Sequence, residues 1–311
     1  MSTKERRVVV SGGSGLVGNA LIPVLLEQGY TVTQLVRSAP AQPTLPGVTT
    51  ALWNPARGTI AQEAVDSAFA VINLSGSGIA SKRWDRVTRK EIRTSRISST
   101  STLAAAVVRS STPPQVFLSA SATGFYGFPG VTVNESSTSG DTFLAGVCVD
   151  WERAATSVLA AGTRLACLRT GLIMTPAGGT LKKLLLPLKL GVGGPLGTGQ
   201  QVWSWISLED HIRAIIFLLE QKSAWGPVNL VAPQATTNAE LTHAFAQALH
   251  RPDKFRVPEK ILRLALGQFS GEVVRGVEVQ PTVLESLGFS FNHPLVADLV
   301  HWATTPSSPV N

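Results

Sequence analysis

Apolar and polar positions along this chain alternate between two periods. Val8, Val9 and Val10 form a continuous β-branched run, the pattern of a strand buried on both faces. Beyond residue 18, apolar positions recur with helical spacing at Leu21, Ile22, Val24, Leu25 and Leu26, and Gly29 reads as the helix C-cap. Residues 31–36 predict a second strand, and residues 69–75, 115–119 and 164–169 predict three more. Long helices are predicted over residues 86–109 and 141–161. Past residue 174 the texture changes. Residues 176–199 are rich in Gly, Leu, Lys and Pro, a helix runs from Leu208 through Leu219, and further helices are predicted over residues 238–249, 258–266 and 295–302. No internal repeat is present.

Strands alternating with helices imply a parallel sheet covered on both faces, a Rossmann-type doubly wound α/β fold. Residues 1–173 are expected to form this domain, with 200–228 returning to it. Residues 174–199 and 229–302 are expected to build a smaller C-terminal substrate lobe, and 303–311 a flexible tail. Ligands of such sheets bind at the carboxyl ends of the strands, where Gly12, Arg37, Ser75, Ser121 and Thr170 all fall.

The chemistry starts in the first turn. Val10 is followed by Ser11 and then by glycines spaced Gly12-x-x-Gly15-x-x-Gly18, between a strand and a helix. Gly12 permits the turn, Gly15 lets backbone approach a pyrophosphate, and Gly18 lets the helix pack close to the strand. The N–H groups at the helix start attract the phosphates, and Leu16 and Val17 fall within this cofactor loop. About 20 residues past the glycines an NAD-binding fold carries an acid for the ribose hydroxyls. Here the second strand ends in Arg37 and Ser38. A guanidinium binds a 2′-phosphate that a carboxylate would repel, so the expected cofactor is NADP(H).

The 311 residues carry a net charge of +7, 44% hydrophobic and 15% charged positions, which argues against disorder. No apolar stretch reaches the length of a membrane span, and because the basic opening residues run straight into the first strand no signal peptide is expected. Cys148 and Cys167 form neither a disulfide framework nor a metal site. A cytoplasmic protein without membrane or metal is expected. Seven basic residues (Lys82, Arg83, Arg86, Arg89, Lys90, Arg93 and Arg96) fall within fifteen positions. With few interleaved aromatics and no nucleic-acid motif, they read mainly as a solvated helix face, and no nucleic-acid partner is expected.

Several phrases resemble the extended short-chain dehydrogenase/reductase superfamily, and within it an atypical branch of uncharacterised nucleoside-diphosphate-sugar epimerase-like proteins with a C-terminal domain of unknown function. Some bacterial members of that branch carry a cell division inhibitor label. The matching phrases include Ser11-Gly-Gly-Ser-Gly-Leu-Val-Gly18, Val71-Ile-Asn-Leu-Ser-Gly76, Lys82-Arg-Trp84, Ser119-Ala-Ser-Ala-Thr-Gly-Phe-Tyr-Gly127, Leu168-Arg-Thr-Gly171, Gly191-Val-Gly-Gly-Pro-Leu-Gly197 and Ser204-Trp-Ile-Ser-Leu-Glu-Asp210. The resemblance spans nearly the whole chain. It implies that Leu74, Ser75 and Gly76 line the adenine and ribose side, that Glu91 and Arg96 reach the cofactor, and that Leu172 sits near the nicotinamide. Leu74 and Leu172 also suit plain core positions, and Glu91 a helix-face ion pair with Arg93 or Lys90.

The superfamily's usual catalysts are a serine and a Tyr-x-x-x-Lys pair. Tyrosine is the acid or base, and lysine lowers its pKa. Ser121 fits the serine. Anchored on Glu152, the register puts Leu144 at the tyrosine position and Cys148 at the lysine position, and neither does that chemistry. The chain has only two tyrosines, Tyr30 and Tyr126. Tyr126 is the one near the site, as a substitute acid or, more simply, as packing. Lys82 and Arg83 are candidate cations near the substrate, Phe125, Trp84, Trp203 and Trp205 candidate pocket walls or interdomain packing, and His211 a surface residue. The best reading is an NADP(H)-dependent oxidoreductase of altered mechanism acting on a small carbonyl or sugar-like substrate. A non-catalytic NADP(H)-sensing protein is the alternative, and nucleotide-sugar epimerisation ranks last. A monomer or a homodimer is compatible with the chain.

Overall fold

The computed structural model describes residues 6–39, 45–79 and 82–305. Its twelve strands are β1 (Arg7–Ser11), β2 (Thr31–Val36), β3 (Val48–Asn54), β4 (Thr59–Ile60), β5 (Ala70–Asn73), β6 (Val116–Ala122), β7 (Arg164–Thr170), β8 (Leu172–Thr175), β9 (Val202–Trp203), β10 (Trp205–Ser207), β11 (Gly226–Leu230) and β12 (Thr236–Thr237). Its principal helices are α1 (Leu16–Glu27), α2 (Arg86–Arg109), α3 (Phe143–Ala155), α4 (Gly179–Lys189), α5 (Leu208–Glu220), α6 (Asn238–Ala248), α7 (Glu259–Leu266), α8 (Ser270–Val273), α9 (Thr282–Ser286) and α10 (Val296–Thr304).

Eight strands make one sheet in the order β11-β7-β6-β5-β1-β2-β3-β4. All neighbours are parallel except the terminal β3–β4 pair. From β1 the chain winds outward through β2 and β3, then restarts on the other side with β5. That reversal between β1 and β5 is the crevice in which open α/β sheets hold ligands.

The side-chain period of two sorts the strands onto two cores. Val8, Val10, Ile72 and Leu118 pack with Leu21 and Leu25 of α1 and Ile212, Ile215 and Leu218 of α5. Val9, Val71 and Phe117 pack with Leu103, Ala104 and Val107 of α2 and with Val158. Each fully buried Leu, Val or Ile contributes about 1.5–3 kcal/mol relative to exposure. Caps fix the helix starts. Asp85 accepts from Thr88 N ahead of α2, and Thr142 accepts from Ala145 N ahead of α3. The second predicted helix therefore begins at Phe143, ends at Ala155 and continues as a 3₁₀ segment over Thr156–Ala161.

A third core forms apart from the two that cover the sheet. Leu181, Leu184, Leu185 and Leu188 of α4 pack with Trp203, Trp205, Phe245 of α6 and Leu299 of α10. Trp203 and Trp205 are thus core, not pocket walls. His211 is likewise not a surface residue: it is 2% exposed inside α5. The predicted tail begins inside α10, and residues 306–311 lie outside the described residues.

Candidate functional site

The loop after β1 is tied down from beneath. Ser11 Oγ donates to Asn73 Oδ1 at 2.7 Å, Asn73 Nδ2 donates to Thr100 Oγ1 at 2.7 Å, and Trp151 Nε1 donates to the same hydroxyl at 3.0 Å. Gly12 adopts φ +76°, and a Cβ there would lie 2.7 Å from the Leu74 carbonyl. A Cβ on Gly18 would meet Gly12 O at 2.5 Å, so α1 rests directly on the loop. Ser14, Gly15 and Leu16 stay exposed. Gly15 caps α1 without a side-chain bond, and no acid occupies the first turn. The free N–H groups and the helix dipole therefore form an anion cradle.

The neighbouring loops converge on it. Ser11 pairs with Leu35 across β1–β2, which brings the end of β2 beside the loop. Arg37 and Ser38 follow, both exposed, and Arg37 makes no ion pair among the described residues. Leu74 N donates to Ser11 O at 3.1 Å, so Leu74, Ser75 and Gly76 leave β5 alongside the glycines. A Cβ on Gly76 would lie 3.2 Å from the Arg96 side chain. The Arg96 guanidinium donates to the Ser77 and Ile92 carbonyls, each at 3.0 Å, and stands 4.9 Å from the Trp151 ring. Burial lowers its pKa, and among the described residues it has no carboxylate partner.

Two residues of the predicted site also have partners of their own. Glu91 is exposed and pairs with Lys82 at 3.3 Å, not with Lys90 or Arg93. Leu172 begins β8, donates its N–H to Ser204 O at 2.9 Å and packs partly into the third core. One neighbour was missed. A Cβ on Gly178, just before α4, would lie 3.0 Å from Leu16, so the start of α4 closes over the cradle. A Gly-Gly pair ahead of a Leu/Lys-rich run was the available signal.

Ser121, at the end of β6, is 4% exposed. Its Oγ donates to Glu152 Oε1 at 2.6 Å. Arg169 grips the same carboxylate twice, Nε to Oε1 at 2.8 Å and a terminal nitrogen to Oε2 at 2.9 Å. The guanidinium lies 3.4 Å from the centre of the Phe125 ring and also donates to Tyr126 Oη at 3.0 Å. Tyr126 Oη in turn donates to Asn229 Oδ1 at 2.7 Å. Burial would lower the Arg169 pKa, but the Glu152 bonds and charge outweigh it and raise it. Tyr126, only 1% exposed, has its pKa raised by burial. Its hydroxyl donates to Asn229 and accepts from Arg169, so it bridges these two side chains.

The missing pair can be located. Leu144 faces Gly124 after β6, and the Cys148 thiol lies against Ser121, with its pKa pushed up to about 12 by burial and by Glu152. So the α3 face that meets Ser121 offers no proton at ordinary pH. Arg96, from α2, supplies positive charge that acts on Cys148.

A cavity of about 740 Å³ opens at the start of α2, lined by Arg83, Trp84, Arg263, Gln268, Ser270 and Arg275 among others. Trp84 packs edge-on to Phe143 at 5.6 Å and tilted on Phe269 at 5.2 Å, which joins its wall to the start of α3. Arg263 pairs with Glu259, whereas Arg83 and Arg275 have no ion-pair partner among the described residues. Much of the remaining basic run is engaged internally. Arg93 pairs with Asp150, Lys82 with Glu91, and Arg89 lies over Phe143 and donates to Gln268.

Residues 8–231 match the model of the NAD dependent epimerase/dehydratase family. The chain belongs to this family. Residues 257–303 match a domain of unknown function, DUF1731. An epimerase family protein of Mycobacterium bovis is 39% identical over 300 residues, 96% of this chain and 97% of its own length. The mouse epimerase family protein SDR39U1 is 31% identical over 294 residues, 93% of this chain and 96% of its own. The crystal structure of its human counterpart, solved with NADPH, superposes with a TM-score of 0.85 at 29% identity and covers 96% of this chain and 98% of that one. Members of this epimerase/dehydratase family share the Rossmann-type sheet described above, and among the described residues no helix is long and apolar enough to cross a membrane.

Proposed function

We propose that the protein is an NADP(H)-dependent oxidoreductase of altered mechanism, acting on a small carbonyl or sugar-like substrate. The observation that carries this reading is the complete anion cradle beside an unpaired Arg37, with Ser121 and the half-buried Arg96 further along the same sheet edge. Gly12, Gly15, Leu16, Val17 and Gly18 would hold the pyrophosphate and Arg37 with Ser38 the 2′-phosphate. Leu74, Ser75 and Gly76 would line the adenine and ribose side, with Arg96 beneath and Leu172 toward the nicotinamide. Glu91 is left as a weaker candidate because its charge is already paired. The human relative crystallised with NADPH supports the choice of cofactor.

The bound nicotinamide supplies hydride chemistry at C4. Ser121, held ready by Glu152 and Arg169, would turn its hydroxyl proton from Glu152 to orient the substrate oxygen, while Arg96 would provide the positive charge that a lysine otherwise brings. Water exchanges the proton, since Leu144 cannot and the Cys148 thiol is held at about 12. The cavity beside Trp84 would admit the substrate, with Arg83 on its lining as a cation near it. These roles, and the division into a cofactor domain and a substrate lobe, are this proposal's own.

The same inert face at Leu144 and Cys148 favours a second reading, a non-catalytic NADP(H)-sensing protein. Epimerisation ranks below both because it needs a proton shuttle. Titration with NADPH and NADH, followed by a carbonyl panel, separates them. Selective NADPH binding with consumption that Ser121→Ala abolishes supports the enzyme. Tight binding without consumption supports the sensor. No NADPH binding removes both.

A further inference from the structure

No Asp or Glu occurs between Glu152 and Glu209, and α4 lies in the middle of that stretch. Its inner face packs into the third core, but its outer face is not polar throughout. Leu186 is 63% exposed and Leu190, one turn on, is 69% exposed. Val192 follows at 56%. The chain then runs beside residues 252–257. A Cβ on Gly191 would touch Pro252 at 4.0 Å, the Gly194 backbone abuts the Phe255 carbonyl, and Gly197 N donates to Val257 O at 2.9 Å. That alignment adds Phe255, 57% exposed, to the same surface. Interleaved with these side chains are Lys182, Lys183 and Lys189 of α4 and Lys254 of the adjoining segment, all exposed and none in an ion pair among the described residues. The one acid in the adjoining segment, Asp253, is taken by His243 at 2.8 Å.

Exposed Leu, Val and Phe beside unpaired lysines are the two parts of an interfacial anchor. The apolar side chains enter the headgroup–acyl boundary and the ammonium groups meet anionic headgroups. A second copy of this chain is a poor occupant, because a two-fold contact would set the same lysines against each other. Nucleic acid gives the leucines nothing to bury against. We propose that this face of α4 and the 252–256 segment binds peripherally to an anionic lipid surface. This is independent of the cofactor chemistry, and the absence of a spanning helix among the described residues does not bear on it.

Sedimentation of the full-length protein with large vesicles tests it, using phosphatidylcholine alone against phosphatidylcholine with about one-third phosphatidylglycerol. Binding is expected only to the anionic vesicles and is expected to fall with salt. Lys182→Glu with Lys189→Glu should weaken it by at least about five-fold for each lysine lost. Leu190→Glu with Phe255→Glu should reduce it to the level seen with phosphatidylcholine, with NADPH titration and melting temperature showing that both variants are folded. No binding to anionic vesicles, or binding that survives the Leu190 and Phe255 changes, overturns the proposal. So does a concentration-dependent dimer that Leu190→Glu dissociates, since the face would then belong to a second copy.

Discussion

Ser121 donates its hydroxyl proton to Glu152 at 2.6 Å and lies against the Cys148 thiol, so its proton is already engaged before any substrate arrives. The carboxylate that takes this proton is itself held by Arg169, whose side chain is 5% exposed. Removing either end of the chain of bonds therefore has unequal effects. Ser121→Ala loses one hydrogen bond to a carboxylate, about 1.5–3 kcal/mol. Glu152→Ala leaves a nearly buried guanidinium unpaired, about 3–5 kcal/mol. Urea unfolding should show the larger loss for Glu152→Ala, and equal losses would contradict the ordering.

Arg37 is predicted to separate the two nicotinamide cofactors. A charge-assisted pair with a 2′-phosphate contributes about 1.5–3 kcal/mol. Arg37→Asp should weaken NADPH binding by at least about ten-fold while leaving NADH binding equal or tighter. Unchanged NADPH affinity in a fluorescence titration would remove Arg37 from the site.

Two glycines offer a controlled contrast. A methyl group at Gly18 collides with loop backbone at 2.5 Å, whereas one at Gly29 meets nothing within 4 Å and is opposed only by φ +80°. Gly18→Ala should displace α1 from the cradle, lowering stability by about 1–3 kcal/mol and NADPH affinity by more than about ten-fold. Gly29→Ala should cost about 1–2 kcal/mol of stability and leave NADPH affinity unchanged. Melting temperature and cofactor titration on the same samples give both readouts.

His211 predicts an acid-side loss of stability. Burial lowers its pKa to about 4, and its Nε2 bonds Thr170 Oγ1 at 3.1 Å. The unfolded chain protonates near the ordinary histidine value of about 6.5. Because the folded value is depressed, the contribution is present in full above about pH 6.5 and is lost as pH falls toward 4. The loss amounts to about 3 kcal/mol by pH 4, and His211→Gln should flatten that part of the stability profile. Identical profiles for the two proteins between pH 4 and 6.5 would count against a buried neutral ring.

What could be read from the residues depended on how locally each feature was determined. The bounds of α2 were legible because Asp85 is a clear cap and Ser110 follows the last periodic residue. Strand β3 was overlooked because only Val48 and Trp53 of its seven residues are buried, the weak alternation of a strand near the sheet edge. Helix α4 was obscured by Gly178 at its start and Pro187 within it. His211 looked like surface because it adjoins Glu209 and Asp210, yet Asp210 is itself buried and accepts from Asn292 N and His293 N. Those partners lie far along the chain. The same holds for the clamp on Ser121: Glu152 served as a marker of register, and nothing local reveals that Arg169 turns it into a fixed acceptor.

The last strand of the large sheet comes late. β11 pairs with β7 only after the chain has left to build α4, β9, β10 and α5. While the protein is being synthesised, the β7 edge therefore stays open until residue 230 has emerged, and an open edge invites pairing with other chains. A fragment ending near residue 173 would keep that edge permanently, along with the bare side of α1 that α5 covers in the finished molecule. Nascent chains stalled there would be natural clients for chaperones, and the arrival of β11 is what closes the sheet.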